Sequence, residues 1–309
     1  MSDFQPPRTT RQHLLLFLKG MAMGAADSIP GVSGGTIAFI TNIYDELLAS
    51  IRAVSFATAR VLWAEGPRAA WTALNGNFLL VLGLGVVLAL LASANLVVWL
   101  LEQHYTYLMC FFNGLVLASL PFVLARAPRM HSWHALLFLV GVLFSAGLAY
   151  LPQLAGPNHL LYYFFCGAVA ICAMILPGIS GAFILLLLGA YEPVLTALTE
   201  FEWSVILIFV SGCVCGLLAF SHLLHWLLNR ARAATLACLL GVLAGSVVAL
   251  WPWRAAVPLD SALAALDHRA VSYRNLAPAA VDVRSGVELS WWALGLLPVA
   301  GALSVVVLE

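Results

Sequence analysis

Charge is scarce in this chain. Only 9% of its 309 residues are Asp, Glu, Lys or Arg, while 63% are hydrophobic, and the mean hydropathy of +0.99 is far above what a water-facing surface of this size carries. A soluble globular domain is therefore excluded. With a formal net charge of 0 there is no basic surface for nucleic acid, and none is expected as a partner. Alternating strand patterns of about ten residues are also missing, which removes a membrane β-barrel and leaves an all-α bundle. The six cysteines (Cys110, Cys166, Cys172, Cys213, Cys215 and Cys238) all fall in apolar runs without polar company, and read as small core residues, not metal ligands. No P-loop, dinucleotide fingerprint, H-E-x-x-H or G-x-S-x-G appears, so neither a cofactor nor a catalytic nucleophile is expected. A cleaved leader is a poor reading, because the first apolar run is interrupted by Lys19 and membrane segments follow at once.

What is present is a series of apolar runs, about ten, near 14–29, 37–51, 78–101, 108–124, 133–151, 160–176, 179–198, 204–228, 236–250 and 291–308. They predict a multi-pass membrane protein with no aqueous domain. Within the first two runs lies D-S-I-P-G-V-S-G-G-T, from Asp27 to Thr36, and the motif recurs. At a constant offset of 147, Gly20, Pro30, Gly31, Ser33, Gly34, Ile37, Tyr44 and Leu48 face Gly167, Pro177, Gly178, Ser180, Gly181, Ile184, Tyr191 and Leu195, and Asp45 faces Glu192. Apolar bias alone does not align P-G-x-S-G followed by Tyr-acid. Weaker echoes follow, Asn113 onward with Leu240 onward and S-W-H-A-L at Ser132 with S-W-W-A-L at Ser290. The chain is expected to be two halves of one membrane domain, 1–152 and 153–309.

Each half reads as a helical pair broken at P-G-x-S-G plus three transmembrane helices. The arms are short for a tilted span, which favours a re-entrant hairpin, although two full spans give the same loop charges. Arg8, Arg11, Arg52, Arg60, Arg68, Arg126, Arg129, Arg230 and Arg232 all fall on one face. That face is expected to be cytoplasmic, with both termini on it. Three further crossings per half, an odd number, turn the second half upside down, giving an inverted-topology two-fold repeat whose two tips are neighbours near the midplane.

Backbone outside helical geometry is tolerated in hydrocarbon only where protein or a wet cavity covers it. Free amides at a helix start attract anions, phosphate among them. Ser33, Thr36 and Ser180 add hydroxyls, and Gly34, Gly35 and Gly181 let a ligand approach; the bland alternative is small residues at a tight crossing. Lys19 and Asp27, eight residues apart on one arm, are costly in a spanning helix. Either Lys19 snorkels to the headgroups and Asp27 caps the following helix, or Lys19 attracts an anionic headgroup and Asp27 carries a proton. The counterpart of Asp27 is Met174. Tyr44 with Asp45, and Tyr191 with Glu192, read as interfacial anchors, and His222 and His225 as interface histidines.

M-G-A-A-D-S-I-P-G-V-S-G-G-T-I-A-F-I, with I-L-P-G-I-S-G-A-F-I-L-L-L-L-G-A-Y-E at 175–192, resembles the DUF368 family of bacterial and archaeal membrane proteins over essentially the whole chain. The resemblance implies a polyprenyl-phosphate transporter of the cytoplasmic membrane that returns undecaprenyl phosphate from the outer to the cytoplasmic leaflet. It implicates Asp27, Pro30, Gly31, Ser33, Gly34, Gly35, Thr36, Pro177, Gly178, Ser180 and Gly181 in the substrate site. The family's second tip keeps a further glycine where this chain has Ala182, which tightens that side. Returning a negative headgroup against an inside-negative potential costs about 2.3 kcal/mol per charge per 100 mV, so proton co-movement through Asp27 is the accompanying expectation. Homo-oligomerisation stays open. Two alternatives remain. A membrane-embedded undecaprenyl-pyrophosphate phosphatase has a related re-entrant P-G-x-S element, but continues into an arginine where this chain has Gly34 or Gly181, and adds a glutamate-rich motif lacking here. A small-anion carrier would use the same tips.

Overall fold

The computed structural model describes residues 8–27, 32–126, 131–151, 156–157, 159–258, 271–276 and 291–308. The chain runs α1 (Thr10–Asp27), α2 (Gly34–Ile40), α3 (Tyr44–Arg52), α4 (Phe56–Glu65), α5 (Pro67–Ala73), α6 (Gly76–Gln103), α7 (Tyr105–Arg126), α8 (His134–Leu148), α9 (Leu160–Ile175), α10 (Gly181–Leu187), α11 (Tyr191–Thr199), α12 (Trp203–Arg230), α13 (Arg232–Ala249), β1 (Arg254–Pro258), β2 (Val271–Asn275) and α14 (Trp291–Leu308). The all-α expectation thus holds for the membrane part. The departure is β1 and β2, an antiparallel ribbon pairing Arg254 with Asn275 through Pro258 with Val271. It lies in the one long stretch of balanced charge between apolar runs, where backbone pairing need not be helical.

Local sequence explains where the helices begin. Thr9 and Gln12 form a capping box at the start of α1: Thr9 N–H donates to Gln12 Oε1 (2.7 Å) and Gln12 N–H to Thr9 Oγ1 (3.4 Å). Asn75, in the left-handed region at φ 53°, turns the chain into α6. Among the described residues three helices are each long and apolar enough to cross a membrane, within Tyr105–Ala125, Trp203–Arg230 and Arg232–Ala249, and three bent pairs reach that length and apolarity together. The outward faces of the helices are apolar, with Leu91 76%, Leu143 63% and Leu207 63% exposed, while Ser33, Ser50, Thr36, Ser180 and Asn113 are buried. Greasy outside and polar inside is the pattern of a protein solvated by lipid.

Four close helix pairs organise the bundle: α1 with α6, α9 with α12, α7 with α14, and α8 with α13. In chain order the pair α1–α6 corresponds to α9–α12 and α7–α14 to α13–α8; α6 and α12 are both 28 residues long and α2 and α10 are both seven. Backbone contact is what makes the pairs close. A Cβ at Gly20 would stand 2.3 Å from Leu82 O, and one at its repeat partner Gly167 would stand 2.4 Å from Phe209 O. Small residues of this kind let membrane helices approach without help from water.

The broken pairs differ from expectation in one respect. The runs 37–51 and 179–198 were expected as single arms, but each breaks again after seven residues, α10 and α11 meeting at 111°. The turns sit at Asn42 (φ 59°) and Gly189 (φ 63°), which face each other at the repeat offset of 147. Left-handed backbone is accessible to Asn and Gly at little cost, so a second break is encoded in both copies without a proline.

Candidate functional site

The two tips meet. Ser33 Oγ donates to Met174 O (3.0 Å) and lies 3.4 Å from Leu176 O. Gly178 N–H, on a backbone at φ 89°, donates to Thr36 Oγ1 (2.9 Å). Tyr44 donates its hydroxyl to Ile175 O (3.0 Å). A Cβ on Gly35 would fall 2.6 Å from Met174 O and 2.8 Å from Ile175 O, so the second tip's backbone runs directly against it. Ser33 and Thr36 are 1% exposed and Ser180 4%. Pro177 is fully buried, and Gly178 packs on Leu243 of α13. The meeting of the tips is therefore carried by Ser33, Gly35 and Thr36 on one side and by Gly178 with the Met174–Leu176 carbonyls on the other, while Gly34 and Gly181 pack on Asp27 and Met174 of their own arms. Pro30 and Gly31 lie outside the described residues. Ala182 is only half-buried, whereas its counterpart Gly35 carries the inter-tip contact, which accounts for the alanine being tolerated there.

Depth follows from the α1–α6 register. The two helices run parallel, Gly20 lying beside Leu82 and Gly24 beside Val86. Asp27, three residues beyond Gly24, therefore reaches the level of the middle of α6, whose limits are Gly76 and Gln103. On the other side, Gly212 lies beside Phe164 and Gly216 beside Ala168, and the same register carries the second tip into the last third of α12. The first tip thus sits at mid-length of α6, and the second toward the C-terminal end of α12.

The first amides of α2 are not free. Gly34 N–H donates to Asp27 Oδ1 (2.6 Å), Gly35 N–H to Ser33 Oγ (3.1 Å), and Thr36 N–H to Ser33 O (2.9 Å). Asp27 is thus the cap, one of the two readings of this residue. Its carboxylate accepts from the first amide of α2. At the other end, Lys19 Nζ donates to Thr41 O (2.8 Å), the carbonyl of the α2 C-cap. The snorkelling reading is corrected here: Lys19 turns inward to a helix end instead of outward to headgroups. The headgroup-attracting reading has to accommodate the same bond, since it holds the ammonium at the end of α2 away from the tip. Opposite charges at the two ends complement the dipole of α2, with the anion at the N-terminus and the cation at the C-terminus.

The second copy achieves the same geometry without charge. Met174 stands where Asp27 does: a Cβ on Gly34 would meet Asp27 Oδ2 at 2.4 Å, and one on Gly181 would meet Met174 Cγ at 2.5 Å. Tyr162 donates its hydroxyl to Leu188 O, the C-cap of α10, and Leu188 is the repeat partner of Thr41. Ser180 caps α10 weakly, accepting from Phe183 N–H at 3.5 Å.

Sequence reasoning missed a polar cluster on α3. Arg8 grips Glu46 with both guanidinium nitrogens (2.9 and 2.5 Å), and Asn75 Nδ2 donates to Glu46 Oε1 (2.9 Å) and Ser50 Oγ (3.1 Å). Arg232 pairs with Asp45 (2.6 Å). These contacts bring the starts of α1, α6 and α13 to one end of the bundle, so the first broken pair returns to the end it left. The anchoring reading of Tyr44 is corrected by its burial, 3% exposed, and its bond to the second tip. Its signal was the repeated Tyr-acid pair, taken as an interface feature. The cysteines are free; Cys110 and Cys166 are buried, but Cys215 is exposed on the apolar face of α12. Among the described residues no His, Cys, Asp or Glu group could hold a metal.

Comparison with known proteins places the chain in a family. The family model of VCA0040-like, undecaprenyl phosphate translocase-like proteins matches residues 23–263. A protein of Vibrio cholerae serotype O1 named polyprenyl-phosphate transporter is 41% identical over 297 residues, 96% of each chain. A Staphylococcus aureus protein of the same name is 32% identical over 255 residues, covering 76% of this chain and 85% of its own. No solved structure matches. Both tips fall inside the matched region, and the chain belongs to the VCA0040-like family of undecaprenyl phosphate translocase-like proteins.

Proposed function

We propose that this protein carries undecaprenyl phosphate or a related polyprenyl phosphate from the outer to the cytoplasmic leaflet of a bacterial or archaeal cytoplasmic membrane. In this reading its halves, 1–152 and 153–309, lie inverted to one another and rock about the paired tips. The observation that carries the reading is the direct, buried junction of two non-helical tips deep in an apolar bundle, in a chain whose relatives are named polyprenyl-phosphate transporters. A phosphate crossing hydrocarbon unaided buries an unpaired charge, and a polar junction at mid-depth removes that cost.

The junction is closed, because its donors are engaged by acceptors across the two tips. Parting the tips frees the Ser33 hydroxyl from Met174 O and Gly178 N–H from Thr36, two donors that face one gap and suit phosphate oxygens. Ser180 stands at the same level on the second tip. A carboxylate on Gly34 N–H competes with an arriving phosphate and repels it; protonating Asp27 removes the charge and releases that amide as a third donor. Headgroup entry and proton uptake are then one event, and the proton travels with the lipid. Lys19 keeps α2 in place during the exchange. The isoprenoid tail stays in lipid along the apolar outer faces.

An enzyme reading has no support in the site: the position after each motif serine is Gly34 or Gly181, and buried Glu46 is already gripped by Arg8. The test is movement of labelled undecaprenyl phosphate between leaflets of proteoliposomes, with phosphate release from undecaprenyl pyrophosphate measured alongside. Exchange without release is expected. Release would make the protein a phosphatase, and neither signal would turn the reading toward a small-anion carrier.

A further inference from the structure

A polar cavity of about 320 Å³ opens between α3 and the α12–α13 junction, lined by Asn42, Asp45, Glu46, His225, Asn229 and Arg232 among others. Its volume lies in the range of small-ligand sites. A smaller one of about 50 Å³ adjoins it, sharing Asn42, Asp45 and Arg232 and backing onto Tyr44, whose hydroxyl is bound to the second tip. The Asp45–Arg232 ion pair stands in the wall common to both. We propose that this cavity is a second phosphate station, where Arg232 exchanges Asp45 for the phosphate monoester headgroup on its way from the tips to the end of the bundle shared by Arg8, Asn75 and Arg232. The inference rests on the transport reading given above.

Charge and exposure support the exchange. Glu46 is only 6% exposed and is neutralised by Arg8, whereas Arg232 and Asp45 are 52% and 56% exposed. A half-exposed pair of this kind contributes little to stability, so breaking it does not endanger the fold. The guanidinium fork matches two phosphate oxygens as well as it matches a carboxylate. Asn229 Nδ2 and His225 Nε2 are 2.7 Å apart on the facing helix turn, adding hydrogen-bonding groups across the cavity. The displaced Asp45 carboxylate stays beside the bound anion and weakens its hold, which suits a release station better than a storage site.

The experiment is calorimetric titration of the full-length protein in lipid nanodiscs with farnesyl phosphate, and in parallel with inorganic phosphate, for wild type, Arg232→Gln and Asp45→Asn. Arg232→Gln is expected to weaken farnesyl phosphate binding at least about tenfold, through loss of the fork's charge-assisted hydrogen bonds. Asp45→Asn is expected to tighten it by a similar factor while slowing leaflet exchange, a gain that misfolding cannot imitate. Unchanged affinity in both variants, or weakening in both, overturns the second station and leaves the transport reading intact. A response confined to inorganic phosphate overturns the headgroup assignment in favour of a free-phosphate site. Absence of wild-type farnesyl phosphate binding overturns the station together with the reading beneath it.

Discussion

The two tips share a backbone plan and differ in what holds it. In the first, α2 is clamped by Asp27 at its start and Lys19 at its end; in the second, Met174 and Tyr162 stand at the corresponding places around α10. Shape therefore does not require the charges, since the neutral copy reproduces it. Two ionisable groups retained in a hydrocarbon layer, each costing about 2.5–3.5 kcal/mol at the centre of an isolated span, point to work beyond shape in the first copy. The same asymmetry runs through the small residues: Gly35 lies against backbone of the other tip, while its repeat counterpart Ala182 is only half-buried.

The largest effect is expected from forcing that contact. Gly35→Val drives two methyl groups against the Met174 and Ile175 carbonyls, which are backbone and cannot swing aside. Overpacking of about 1–3 kcal/mol should lower leaflet exchange at least about tenfold, whereas Ala182→Gly should leave it near wild type. Equal effects of the two changes in a proteoliposome assay would dissolve the distinction between the tips.

Next comes the paired hydroxyl deletion. Ser33→Ala with Ser180→Ala is expected to weaken polyprenyl-phosphate binding about tenfold, the loss of a charge-assisted bond, with the bundle still folded. Affinity that stays at the wild-type value in the double variant counts against the tips as the headgroup site. Thr36→Val should cost about 1–3 kcal/mol in thermal unfolding, because Gly178 N–H is then buried without an acceptor. The smallest effects concern the far clamps. Lys19→Met is expected to cost about 1–2 kcal/mol and Tyr162→Phe about 1 kcal/mol, and a larger loss at Tyr162 would reverse the ranking of charged over neutral clamp.

Much of this was written in the sequence. The apolar runs locate the helices, and the offset of 147 between the two P-G-x-S-G motifs predicted two tips in contact, which Ser33 and Thr36 make directly. The second break in each pair was not read, because Asn42 and Gly189 permit left-handed backbone without demanding it. The snorkelling alternative for Lys19 rests on where a cation near the start of an apolar helix usually points; only the return of α2 brings the Thr41 carbonyl within its reach. The partners of Glu46, Asp45 and Tyr44 escaped for a similar reason. Those partners, Arg8, Arg232 and Ile175, lie 38, 187 and 131 residues away, and such distances carry no local pattern.

The most direct test of the account sets the polar tip against its neutral twin through the one carboxylate that distinguishes them. Leaflet exchange of labelled undecaprenyl phosphate would be followed in proteoliposomes holding wild type or Asp27→Asn, with the outer medium made acidic or matched to the lumen. Wild type is expected to move the lipid inward faster when the outside is acidic, because protonation of Asp27 admits the headgroup, and Asp27→Asn is expected to transport at a rate indifferent to the gradient. An Asp27→Asn protein that keeps the wild-type response would contradict the exchange of proton for phosphate at the first tip.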